Sequence, residues 1–214
     1  MKKWRGILLA VMLCLMLLGC EESDGLQHFA SREERIQALN GQGTFMIMDG
    51  DFEEANQAGY ILVNGAPAAW FRESGLLDTK WTVELEGKPW ITVKYVTDGP
   101  VYEQEGVIAA TTIGYYDENG NCLGYAQEQV VESGAYHWIF LDPDLSPTGL
   151  WATEDGKGLY NTEGTQLASG AAEYSYSSVL CSIAINCVDG QDVPFFPKFA
   201  MYMELYDQAK RIHG

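Results

Sequence analysis

Basic residues are scarce in this chain. Its 214 residues hold 13 Lys+Arg against 30 Asp+Glu, a formal net charge of −17. A nucleic-acid interface needs a basic face to neutralise phosphates, so no nucleic-acid partner is expected. Five Cys are too few for a disulfide scaffold. Only three His are present, which leaves little material for a zinc site or a Ser-His dyad. The apolar run Ile7–Leu18 is 12 residues, short of the roughly 20 that a membrane-spanning helix needs. No Gly-x-Ser-x-Gly, His-Glu-x-x-His or Ser-x-x-Lys signature occurs, and neither glycine-rich phosphate cradle is complete. What is present is an apolar fraction of 47% and an aromatic fraction of 12%, too high for a disordered acidic chain.

The first residues carry the most specific signal. Lys2, Lys3 and Arg5 precede the apolar run, and Gly19, Cys20, Glu21 and Glu22 follow it. A basic start, a short apolar core and a small residue before the break are the pattern of a secretory signal peptide. Leu17-Leu18-Gly19-Cys20 resembles the lipobox of bacterial lipoproteins. That resemblance implies cleavage before Cys20, a diacylglycerol thioether on its sulfur and acylation of the new amino group. Two or more acyl chains hold a protein stably on a membrane, where one myristoyl chain grips only marginally. The expected layout is a leader at 1–19, a tether at 20–28 and a single β-rich extracytoplasmic domain at 29–214. Removing the leader takes away three basic residues and no acids, so the balance moves from −17 to −20.

Within the domain, Ser31-Arg32-Glu33-Glu34 has the form of a capping box and predicts a short helix near 32–39. From residue 42 the period becomes two. Trp81, Val83 and Leu85 alternate with polar residues, as do Ile91, Val93 and Tyr95, and Glu86-Gly87 between them predicts a hairpin. Further strands are expected at 43–48, 59–63, 67–72, 107–116, 122–131, 135–141 and 179–187. Seven Asx-Gly pairs, from Asn40-Gly41 to Asp189-Gly190, supply turns; Asp155-Gly156 reads as part of a longer loop. The fold class is therefore mainly β, an antiparallel sandwich or barrel-like domain with a short N-terminal helix. Tyr202, Leu205, Tyr206, Ala209 and Ile212 predict a C-terminal helix over 198–212. The alternation of Phe199, Met201, Met203 and Leu205 is the rival strand pattern. Tyr115-Tyr116-Asp117-Glu118-Asn119-Gly120-Asn121-Cys122-Leu123-Gly124 resembles the strand–turn–strand of FxLyD-type extracellular β-sandwich domains. The resemblance implies a β-fold and no activity.

Candidate site residues are few. Trp151 and Tyr160 flank the Gly- and Thr-rich stretch 148–164, expected to be a long loop that presents them to a ligand. Trp70, Trp81, Trp90 and Trp138 are expected in core or rim packing. Asp142, Asp144 and Ser146 place oxygens at alternate positions and form a candidate for weak Ca²⁺ binding; no other cofactor is expected. His137 is a lone strand histidine. Cys181 and Cys187, about 20 Å apart on one strand, cannot pair with each other. Cys122 could bridge either, or the thiols remain free. The expectation is a non-enzymatic binding or accessory module, lipid-anchored on the outer face of the bacterial cytoplasmic membrane (or an outer membrane, where the source has one), whose partners are the membrane and an envelope or extracellular ligand. The alternative is an envelope hydrolase acting on wall glycan or peptide, which would need a cleft where His137 or paired carboxylates meet.

Overall fold

The computed structural model describes residues 29–49, 58–75, 79–97, 102, 108–130, 136–175 and 180–213. Cys20, the leader and the tether up to residue 28 lie outside the described residues, as do the turns at Asp49-Gly50 and Asp98-Gly99. Helix α1 (Arg32–Leu39) is followed by strands β1 (Thr44–Asp49), β2 (Ala58–Val63), β3 (Ala66–Ser74), β4 (Lys80–Leu85), β5 (Lys88–Tyr95) and β6 (Ile108–Tyr116). Then come β7 (Cys122–Val130), β8 (Tyr136–Leu141), β9 (Pro147–Thr153), β10 (Gly158–Asn161), β11 (Gln166–Ser175), β12 (Leu180–Cys187) and helix α2 (Phe195–His213). Each strand pairs antiparallel with the next, and β1 pairs with β12, so the sheet closes into a barrel. Closure leaves no sheet edge to pair with another chain.

Register carries the hydrophobic pattern around the wall. Ile185 opposes Phe45, Phe45 opposes Val63, Ile61 opposes Ala69, Phe71 opposes Val83, and Val83 opposes Ile91. On the other side Ile113 opposes Ala126, Ala126 opposes Phe140, and Ala152 opposes Leu159. All of these are buried. A slip of one residue in any pair would turn that strand's apolar set to solvent. Asn64-Gly65 and Glu86-Gly87, all at positive φ, form the tight turns of the β2–β3 and β4–β5 hairpins.

A barrel of 12 strands is too wide for its own side chains to fill. Helix α2 fills it. Phe199, Ala200, Met201, Tyr202, Met203, Leu205, Tyr206 and Ala209 are all buried, which surrounds the first half of the helix and leaves Glu204, Asp207, Gln208 and Arg211 as a polar stripe on the second. The rings of α2 reach opposite walls: Phe195 meets Phe45 of β1 and Trp90 of β5, Phe199 and Tyr202 meet Phe71 of β3, and Phe196 stacks on Tyr115 of β6. The helix also packs closely on β11 and β12. There the wall is thinned to Ala168 and Gly170, and a Cβ on Gly170 would lie 2.5 Å from the Gly156 carbonyl and 2.7 Å from Leu205.

Helix α2 begins three residues before the expected position, because Pro197 falls in the first turn, where its missing N–H breaks no helical bond. Asn40 links the two helices: its Nδ2 donates to the Ile36 carbonyl and its Oδ1 accepts from the Phe195 N–H. At the start of α1, Ser31 Oγ accepts from the Glu34 N–H, while Glu34 reaches back to the N–H of Ala30 rather than Ser31. Two sequence expectations change. The stretch 148–164 is a hairpin of β9 and β10 turned at Asp155-Gly156, not a long loop, and β11 is a full strand. The Tyr115–Gly124 segment is a strand–turn–strand within the closed barrel.

Candidate functional site

With α2 inside the barrel, ligand surfaces must be sought on the outside. A groove of about 400 Å³ opens between α1 and the outer face of β2–β4. Tyr60, Trp70 and Glu84 form a row across its strands, since Tyr60 opposes Trp70 and Trp70 opposes Glu84. Their chain neighbours Ile61, Ala69, Phe71, Val83 and Leu85 point inward and are buried. The Tyr60 and Trp70 rings meet edge to face at 4.6 Å and 68°, with Tyr60 53% exposed. A bulge in β2–β3 between Ile61 and Leu62 breaks the alternation near Ala68, and the small side chains of Ala68 and Ala69 leave room beside the rings.

The charged groups of the groove are held unequally. Arg35 of α1 donates to the Pro67 carbonyl at 2.8 Å, lies 5.7 Å from the Phe29 ring and places Nε 3.5 Å from Glu86. That Nε is buried and makes no aligned hydrogen bond, so a ligand cannot reach it. Glu84 is 16% exposed and pairs at 3.4 Å with Arg72, which is 61% exposed.

The aromatic pair singled out in the sequence lies elsewhere, on β9 and β10. Trp151 and Tyr160 are cross-strand partners stacked at 4.6 Å and 19°, and Trp151 Nε1 donates to the Asn161 carbonyl. The structure brings them together on the wall of the barrel, half-buried, rather than on a loop. His137 meets Trp151 edge-on and opposes Gln129 and Thr153; burial pushes its pKa down. Among the described residues, no acid is hydrogen-bonded to it.

Asp142, Asp144 and Ser146 also converge, but on one another. Ser146 Oγ donates to Asp144 at 2.6 Å and lies 3.4 Å from Asp142, and the Ser146 N–H donates to Asp144. These bonds hold the Asp144 carboxyl below the usual carboxylate range. Among the described residues, no group of three or more His, Cys, Asp or Glu is arranged to hold a metal. Cys122 and Cys187 are free thiols, and burial pushes the Cys187 thiol up.

Of the tryptophans, Trp81 and Trp138 are in the core and Trp90 packs against it. Trp70 is half-buried and packs on Tyr60 at the rim, where it also lines the groove. The sequence did hold a signal for this: Trp70 sits at the opposite parity to Phe71 on β3. Two ionisable groups on α2, one buried and one half-buried, carried no sequence signal. Lys198, 1% exposed, donates to the Gly41 carbonyl and is lowered by burial to about 8. Glu204 is raised to about 7 by burial and by the nearby Asp207 and Glu128. It lines a polar cavity of about 120 Å³ with Glu128, Tyr136, Glu154, Gln208 and Arg211. In comparisons with known proteins, no family model, no curated protein and no solved structure matched the chain.

Proposed function

We infer that the chain is a bacterial lipoprotein whose lipid on Cys20 holds a non-enzymatic binding module on the outer face of the cytoplasmic membrane. The ligand docks in the groove lined by Tyr60, Trp70 and Glu84. One observation carries this reading. The lumen that a barrel would use for a ligand is occupied by α2, while the groove outside offers aromatic surface and charge in a volume typical of ligand sites. The hydrolase alternative needs a cleft where His137 or paired carboxylates meet, and the described partners of His137, Trp151, Gln129 and Thr153, do not favour the histidine route. The Trp151–Tyr160 surface is the second candidate for the ligand, favoured by the fixed stacking of its rings.

Two experiments test the reading. A fatty-acid analogue should label the wild-type chain in a bacterial host and not the Cys20→Ala variant; label on that variant refutes the anchor. Ligand-observed NMR with a panel of sugars, ammonium compounds and short peptides should give hits that vanish in Trp70→Ala and persist in Trp151→Ala. Hits indifferent to Trp70 refute the groove.

A further inference from the structure

We propose that the groove binds a small organic ammonium compound of choline size or somewhat larger. The inference rests on the groove being the binding site and adds the chemistry of its occupant. Two aromatic rings set at 68° form a corner, and aromatic corners with a carboxylate beside them are how proteins hold alkylated ammonium groups. The ring faces attract the cation through their quadrupoles, and the carboxylate supplies the opposite charge.

Charge decides against the competing ligand classes. An anion would need an unpaired cation, and Arg35 is engaged by the Pro67 carbonyl, Glu86 and the Phe29 ring while Arg72 is paired with Glu84. A neutral ligand would make no use of the Glu84 charge beside the rings. Arg72 is mostly exposed, and a surface ion pair of that kind contributes about 0–1 kcal/mol. A ligand ammonium seated at the corner replaces it. The chain also shows the same preference within itself. Lys94 lies 4.5 Å over the Tyr116 ring and Lys198 5.3 Å over the Phe45 ring. Among the described residues, no such cation covers Tyr60 or Trp70. The net charge of −17 adds a field that draws cations toward the surface.

The test is calorimetric titration of the full chain in detergent with three probes: choline, its neutral isostere 3,3-dimethylbutanol, and N-acetylglucosamine. Choline should bind saturably and more weakly as salt rises, and dimethylbutanol should not bind. Trp70→Ala should abolish choline binding, and Glu84→Gln should weaken it about tenfold. Trp70→Phe, which keeps a ring, should retain binding within about threefold and so separates loss of the corner from loss of the fold. Dimethylbutanol binding as tightly as choline overturns the cation assignment. N-acetylglucosamine binding that depends on Trp70, with no choline binding, also overturns it and leaves the groove reading standing. Choline binding unchanged in Trp70→Ala overturns both.

Discussion

Tyr60 and Trp70 oppose each other on β2 and β3 with ring centroids 4.6 Å apart, while the next residue of β3, Phe71, packs on Tyr202 inside the barrel. Adjacent residues of one strand thus serve the groove and the core. Trp70→Ala should cost about 1 kcal/mol of stability, because its ring is half-exposed. Phe71→Ala should cost about 3–5 kcal/mol, because it empties a packed site beside α2. Chemical denaturation of the two variants measures both. Similar losses would place Trp70 in the core.

Glu204 makes stability depend on pH in a stated direction. Its folded pKa of about 7 lies above the ordinary carboxylate value, so the folded state holds a proton that the unfolded chain has lost. Stability therefore falls as pH rises from about 4.5 to 7. Glu204→Gln should remove this slope. Relative to wild type it should gain about 2 kcal/mol between pH 5 and pH 8, a figure reduced for partial solvent screening. Urea midpoints of both proteins across that range check it.

Lys198 acts in the alkaline range. Burial favours its neutral form in the folded state, so the unfolded chain binds more protons between about pH 8 and 10.5. Stability contributed by this group rises with pH across that window. Lys198→Met should lack the rise, so its stability relative to wild type should decline by about 3 kcal/mol from pH 8 to pH 10.5. Parallel profiles for the two proteins would show that Lys198 is not buried.

Gly170 sits where the wall approaches α2 most closely. Gly170→Ala puts a methyl against the Gly156 carbonyl and Leu205. Overpacking of this kind costs about 1–3 kcal/mol. Gly164→Ala, whose added Cβ meets nothing within 4 Å but whose φ of +77° is strained, should cost about 1 kcal/mol. A larger loss at Gly164 than at Gly170 would contradict the packing of α2 on this wall.

The strands that carry large apolar residues on one face were legible in the sequence. β4 and β5 alternate large apolar residues with polar ones, so their period of two is plain. β9, β10 and β11 were not legible, because PTGLWAT, GLYN and QLASGAAEYS are built of small residues with little strand preference. Ala168 and Gly170 of this wall are small because α2 packs against them. Helix and strand patterns both fitted 198–212 for a related reason: Phe199–Met203 is buried on every side, and the polar stripe Glu204, Asp207, Gln208 and Arg211 sets a helical period only in the second half. The groove escaped because Arg35, Tyr60, Trp70 and Glu84 come from four elements, and only the closing of β2–β4 under α1 joins them.

The most direct measurement follows the indole N–H signals of Trp70 and Trp151 in a ¹⁵N-labelled full chain, each assigned by its Phe variant, as choline is added. The expected result is a saturable shift of the Trp70 signal with the Trp151 signal unmoved. A shift of Trp151 alone, or of neither, would contradict binding in the groove.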